Sequence, residues 1–206
     1  FTPEQFQNCT GLEQLIAEEL QEKGKSPYFI PIGASTATGS LGYVQMMKEI
    51  VETKQNFDHI YCTLGSGGTF AGILLGQQYF KLSADIHGIA VCDDIAYFKS
   101  ETNRIQKEFQ SLYNIKIDLS DSDKMMDDHY VGTGYAQNTE QELQNMLRFA
   151  QIEGLILDPV YTLKTFIGMT DHIKKGIIKA GQKVLFIHTG GHYGIFAKNH
   201  ELDNIL

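Results

Sequence analysis

Several classes of function are excluded by what the chain has little of. Lysine and arginine number 17 against 25 acidic residues, a net charge of −8, and no basic stripe interrupts that balance, so nucleic acid is not expected as a partner. The longest apolar runs, such as "GLIL" and "VLFI", fall far short of the roughly 20 residues that a membrane-spanning helix needs. The opening "FTPEQFQ" lacks the basic-then-apolar layout of a secretory signal. Cysteines are three, Cys9, Cys62 and Cys92, odd in number and scattered, which suits reduced thiols in a cytoplasm better than a disulfide framework. No cysteine or histidine set stands at ligand spacing, so no metal is expected, and His188 reads as the end of a core strand.

What is there is enough apolar material for a real core: 42% of 206 residues. The chain starts at Phe1 rather than Met and in a polar stretch, and we expect it to be a piece of something longer. Thr10 to Glu13 reads as a capping box opening a helix with Leu12, Leu15, Ile16 and Leu20 on one face. "SPYFIPIG" suggests a short strand, and Gly39 to Lys54 a helix. "DHIYCTL", "IHGIAV", "GLIL" and "KVLFIH" are β-rich runs. Helices are expected after Gly68, over Asp94 to Tyr113, after an Asn138 cap, and from about Leu163 to Lys175. "NIKIDL" is open between strand and loop, and Ser120 to Tyr135 reads as a functional or mobile loop. Strands alternating with helices, several of them continuously apolar, indicate an α/β fold with a mostly parallel sheet covered by helices on both faces.

Ligands bind such sheets beyond the carboxyl ends of the strands, and "TLGSGGTFAG" (63–72) lies at such an end. Gly65, Gly67 and Gly68 let backbone approach a ligand and expose successive N–H groups. The helix start adds a positive dipole end, and Ser66 and Thr69 add hydroxyls, so the loop suits phosphate. It is not a Walker A loop, since no Gly-Lys-Ser/Thr follows, and it departs from G-x-G-x-x-G.

Four segments in one order, "IPIGASTATGSLGYV" (30–44), "GSGGTFAG" (65–72), "LDPVYTLKTFIGM" (157–169) and "VLFIHTGGHYGIFA" (184–197), resemble the C-terminal two-thirds of the D-cysteine desulfhydrase/1-aminocyclopropane-1-carboxylate deaminase family. These are pyridoxal-phosphate enzymes of fold type II, like the tryptophan synthase β subunit. The resemblance implies that 1–32 ends a small cofactor-clamping domain and that 33–206 is most of the large one. It implies that Gly65, Ser66, Gly67, Gly68 and Thr69 cradle the pyridoxal 5′-phosphate phosphate. Tyr161 and Tyr135 would line the substrate side, Tyr161 as proton shuttle. Thr162, Thr189 and the adjoining Gly190 would stand by the pyridine ring. Family members are usually homodimers acting on small amino acids.

Deaminases of this family carry an acidic residue after the tyrosine and an apolar residue before the Gly-Gly pair; here both positions are threonine, as in the desulfhydrases. A carboxylate at the ring nitrogen makes a strong electron sink, whereas a hydroxyl suffices when a thiol leaves. The expected reaction is therefore α,β-elimination from D-cysteine to pyruvate, sulfide and ammonia. Other readings remain: a 1-aminocyclopropane-1-carboxylate deaminase, another pyridoxal-phosphate lyase or racemase, or a truncated non-catalytic fragment. The family's Schiff-base lysine belongs well upstream in a "K-x-D-D"-like context that is absent here. Lys124 has the wrong spacing, Lys164 reads as a surface or helix-start residue, and the role falls to no residue of this chain. The chain also departs from the family at Thr36, usually Asn, and at His192 and Tyr193, where small residues and Pro are common. Ser35 reads as a helix cap.

Overall fold

The computed structural model describes residues 9–205, in two compact units, Phe1–Ala34 and Ser35–Leu206. The first contains helix α1 (Cys9–Glu22) and a 3-10 turn at Ile32–Ala34. The Thr10 capping box lies outside the described side chains. "SPYFIPIG" forms no strand. Pro27 and Pro31 bring no N–H to a ladder, and Tyr28, Phe29 and Ile30 stand exposed.

The second unit alternates α2 (Ala37–Glu52), β1 (His59–Leu64), α3 (Gly68–Phe80), β2 (Asp85–Ala90), α4 (Ile95–Tyr113), β3 (Met126–Asp127), α5 (Glu140–Glu153), α6 (Thr162–Lys174), β4 (Val184–Phe186) and α7 (Asn199–Asp203). The strands form one sheet in the order β3-β2-β1-β4, every pairing parallel. This is the α/β architecture expected. β3 is an edge strand inside the stretch read as loop. "GLIL" is not a strand, because the Ile156 carbonyl accepts from His188 Nε2 (3.1 Å) rather than from a neighbouring strand. "NIKIDL" runs as loop between α4 and the 3-10 turn at Ser122–Met125.

All six residues of β1 are buried, and alternation sends them to two different layers. Ile60, Cys62 and Leu64 join the main core with α2, α3 and α4. His59, Tyr61 and Thr63 point the other way, where each finds a polar partner: His87 at 3.0 Å, His172 at 2.7 Å and Thr165 at 2.6 Å. The second face is thus a paired polar layer against α6, with Ile89 and Ile178 packed beside it.

Small residues bring α2 and α3 together. Gly72 and Gly76 lie one turn apart on α3 and face α2. A Cβ on Gly72 would sit 2.5 Å from the Ser40 carbonyl, and one on Gly76 2.6 Å from Met47 Cβ. Gly88 in β2 leaves room for the Phe70 ring, which a Cβ there would meet at 2.7 Å. We expect Gly72→Ala to destabilise the fold by about 1–3 kcal/mol through overpacking. Gly42→Ala, on a helix position with open space around it, should stabilise by about 0.5–1 kcal/mol. Urea unfolding of both variants checks the pair, and a Gly72→Ala protein as stable as the parent would refute the close packing.

One histidine of the polar layer is shifted from its ordinary range. Burial, with His59 and His172 as neighbours, lowers the His87 pKa to about 4. An unfolded histidine titrates near 6.5. Between those values the unfolded chain binds a proton that the folded chain refuses, so this stability is present above about pH 6.5 and is lost as pH falls through about 4. Unfolding midpoints should drop across that window, and His87→Gln should make the drop shallower; equal slopes for the two proteins would contradict the assignment.

Candidate functional site

The strands deliver their carboxyl ends to one edge, and sheet order changes direction at β1, whose neighbours are β2 and β4. The loops after β1 and β4 therefore flank a crevice of the kind that holds ligands in open α/β sheets. The first is the Gly65–Thr69 turn. Gly67 takes φ +86°, and a Cβ on Gly68 would come within 2.9 Å of Ser35 Oγ and 3.1 Å of its Cα. A side chain at 68 would fill the turn from behind. The amides of Ser66, Gly67, Gly68 and Thr69 have no backbone or side-chain acceptor among the described residues, as expected of the first turn of a helix. Such a set of aimed donors with a positive dipole end fits a phosphate.

The turn is braced by a layer of buried polar contacts in which Ser35 is not the expected cap. Ser35 is no cap: Thr36 is, its hydroxyl accepting from Gly39 N at 3.0 Å. Ser35 is buried and donates to Ser66 Oγ at 2.8 Å, while its carbonyl accepts from Arg104 Nη2 at 2.7 Å. Arg104 is held in turn by Glu101 at 2.8 Å. Ser40 donates to the Gly68 carbonyl at 2.9 Å, and Cys92, two residues after β2, donates to the Gly65 carbonyl at 3.3 Å. Burial, reinforced by Asp93, pushes the Cys92 thiol up to about 12, so near neutral pH it is a thiol and not a nucleophilic thiolate.

Tyr161 lies against this turn: a Cβ on Gly65 would be 3.2 Å from its Cε1. What fixes Tyr161 is Asp158, fully buried three residues earlier. Asp158 Oδ1 accepts from the amides of Val160 (2.9 Å) and Tyr161 (2.7 Å). Its Oδ2 accepts from the amide (2.8 Å) and hydroxyl (2.6 Å) of Thr162. An aspartate followed by proline is well suited to such a turn, since its short side chain reaches the amides ahead. The Thr162 hydroxyl is accordingly committed to Asp158, and Thr162 is fully buried. Thr165 then ties the helix start to β1, accepting from Thr63 and donating to the Tyr161 carbonyl at 3.1 Å.

Two further loops arrive at the same turn. Gly190 and Gly191 both have positive φ, +98° and +87°, and a Cβ on Gly191 would stand 2.9 Å from Asp158 Cγ. Thr189 is exposed beside them. His188 fastens this turn, its Nδ1 accepting from Gly190 N at 3.2 Å. From the other side comes the loop 131–139. Asn138 is not the cap of α5; Thr139 is, in a full capping box with Glu142. Asn138 instead donates to the Pro159 carbonyl at 2.8 Å. Tyr135 brings its hydroxyl into hydrogen bond with that of Tyr161, the rings meeting edge to face at 5.8 Å. Tyr135 is exposed, at 51%.

The Tyr161 phenol is held well above the ordinary tyrosine range by burial first, then by its bond to Tyr135 and the nearby Asp158. It is a neutral hydroxyl at working pH, able to donate a hydrogen bond to a group that develops negative charge. Lys164, expected as a surface or helix-start residue, does lie in the first turn of α6 but is 0% exposed, and its Nζ donates to the carbonyls of Val131 and Gly134 (the latter at 2.7 Å). Its position two residues inside a helix start concealed that burial.

Residues 5–190 match the pyridoxal-phosphate dependent enzyme family. The chain is 36% identical over 202 residues to the bifunctional D-cysteine desulfhydrase/1-aminocyclopropane-1-carboxylate deaminase, mitochondrial, of Arabidopsis thaliana, covering 95% of this chain and 49% of that protein. It is 39% identical over 192 residues to a putative 1-aminocyclopropane-1-carboxylate deaminase of Pyrococcus horikoshii, covering 93% and 57%. To the D-cysteine desulfhydrase of Klebsiella pneumoniae it is 31% identical over 207 residues, covering 96% and 62%. A crystal structure described as an ACC deaminase homologue superposes with a TM-score of 0.86 at 36% identity, over 97% of this chain and 60% of that one. The chain thus spans about half to three-fifths of the length of these proteins. Among the described residues no helix is long and apolar enough to cross a membrane. With a parallel sheet, a glycine turn whose free amides suit a phosphate, and these likenesses along nearly its whole length, the chain belongs to the family of pyridoxal-phosphate dependent enzymes.

Proposed function

We propose that the encoded full-length protein is a D-cysteine desulfhydrase-like lyase, eliminating the thiol of a small amino acid to leave pyruvate, sulfide and ammonia. The observation that carries this reading is the Tyr161 hydroxyl, held protonated at the lip of the glycine turn and bonded to Tyr135. In this reading the amides of Gly65 to Thr69 and the hydroxyls of Ser66 and Thr69 hold the cofactor phosphate. Thr189 and Gly190 stand beside its ring, and Thr162 serves from behind by keeping the Asp158 turn in shape. Pyridoxal phosphate, when bound, supplies an electron sink for the charge left at the substrate α-carbon.

The chain's own residues then supply positioning and hydrogen bonds. Tyr161 donates a hydrogen bond to the departing sulfur, which leaves as sulfide, and Tyr135, exposed and hydrogen-bonded to it, links that hydroxyl to solvent. No carboxylate occupies 162 or 189, and the Thr162 hydroxyl is committed to Asp158, so the ring nitrogen would meet the Thr189 hydroxyl alone. That is enough for a leaving group as stable as a thiolate and favours the desulfhydrase over ring-opening deamination. The deaminase remains the second reading, supported by the names of the relatives from Pyrococcus and Arabidopsis. A homodimer in a reducing cytoplasm belongs to the same proposal: the resemblance implies the first, and the free thiols of Cys62 and Cys92 suit the second.

The full-length protein supplied with pyridoxal phosphate should release sulfide and pyruvate from D-cysteine. Tyr161→Phe should lower kcat by about a hundredfold, the usual scale for one hydrogen bond to developing charge, with cofactor absorbance unchanged. Release of 2-oxobutyrate from 1-aminocyclopropane-1-carboxylate, with no sulfide from D-cysteine, would overturn the desulfhydrase in favour of the deaminase.

A further inference from the structure

Lys164 is a fully buried amine that none of the steps above uses. It sits on α6 three residues after Tyr161, so the two side chains leave the same helix start. Its Nζ donates to the Val131 and Gly134 carbonyls, which bracket the "GTG" of the 131–135 loop. A Cβ on Gly132 would lie 3.9 Å from that Nζ and 3.5 Å from Glu142 Oε1, which puts a carboxylate near the ammonium without a direct bond. Burial lowers the Lys164 pKa, with Glu142 and Cys92 opposing and Lys198 assisting.

The loop that it grips is a costly one. Gly132, Gly134 and Ala136 all have positive φ, +65°, +133° and +57°, and for alanine that conformation is unfavourable by about 1–2 kcal/mol. Such a backbone persists only when its surroundings over-determine it. Tyr135 sits between Gly134, whose carbonyl Lys164 holds, and the strained Ala136. Its hydroxyl is meanwhile bonded to Tyr161. Tyr135 is therefore held at both ends from α6, by Lys164 at its backbone and by Tyr161 at its hydroxyl. An ammonium suits the task because it offers three donors and needs no acceptor of its own.

We infer that Lys164 is a positioning residue for the reaction: by gripping the Val131 and Gly134 carbonyls it fixes the loop that presents Tyr135 to Tyr161. The inference rests on the proposed lyase reading for its consequence in catalysis, and on the loop geometry alone for its consequence in structure.

Two measurements on the full-length protein separate these. In the first, amide hydrogen exchange is followed in residues 131–136 and in β1. Lys164→Met should speed exchange in 131–136 by about tenfold or more with β1 unchanged, since only the local opening is made easier. Lys164→Arg, which keeps charge and paired donors, should stay within about threefold of the parent. Unchanged protection at 131–136 in the Met variant, or loss of protection in β1 as well, overturns the inference.

In the second, kcat for D-cysteine is compared among Lys164→Met, Tyr135→Phe and the double variant. If Lys164 acts through Tyr135, the double variant should be no slower than the slower single one; losses that multiply contradict it. A parent protein that makes no sulfide refutes the lyase reading, while the exchange measurement still decides the role of Lys164.

Discussion

The buried carboxylate of Asp158 is the interaction on which the rest of the site depends. It has no exposed surface, yet it accepts four hydrogen bonds from the three residues that follow Pro159 or lie next to them in the turn. A buried charge with its acceptor capacity filled is tolerable; the same charge with one donor missing costs several kcal/mol. The turn therefore has one favourable shape, and that shape aims Tyr161 across Gly65. Because Gly191 packs directly on the Asp158 carboxyl and Asn138 bonds the Pro159 carbonyl, the loops after β4 and before α5 register on the same point. Three segments distant in sequence are thus positioned by one side chain.

The side of the crevice that holds the glycine turn rests on a different constraint, close approach. Gly68, Gly72 and Gly76 recur at intervals of four along α3, so all three face one way. The first lets Ser35 brace the turn, and the other two let α2 lie against α3 at backbone distance. The face that carries the glycine turn and the face that packs the core are the same stripe of one helix. Beneath them, β1 divides its side chains between an apolar layer and a layer of paired histidine, tyrosine and threonine, and this second layer carries α6 and with it Tyr161.

Much of this was legible in the amino-acid order. β1, β2 and β4, the helices α2 to α6 and the glycine turn all follow from periodicity and from residues with few conformational choices. The "DPVYT" and "HTGG" segments could be placed at the crevice only as a set, through family resemblance. What escaped was of two kinds. Hydrogen bonds between distant loops leave no local trace, so Ser35 and Asn138, each able to cap a helix, give no sign in sequence that their hydroxyl and amide serve Ser66 and Pro159. Burial of a long polar side chain is equally silent: Lys164 follows an exposed-looking pattern, but two carbonyls thirty or more residues away take its ammonium inside. "SPYFIPIG" and "GLIL" failed as strands because apolar, β-branched composition does not supply a neighbouring edge.

The most direct test of the central claim is the backbone amide NMR spectrum of Asp158→Asn beside that of the parent protein. An asparagine turns one acceptor oxygen into a donor facing other donors, so the Val160, Tyr161 and Thr162 amides should shift strongly. If Asp158 organises the crevice, the signals of Tyr135, Gly190 and Gly191 should move with them while those of α2 and α3 stay in place. Changes confined to residues 157 to 162, with the other loops undisturbed, would show that each loop holds its position without Asp158 and would contradict the account.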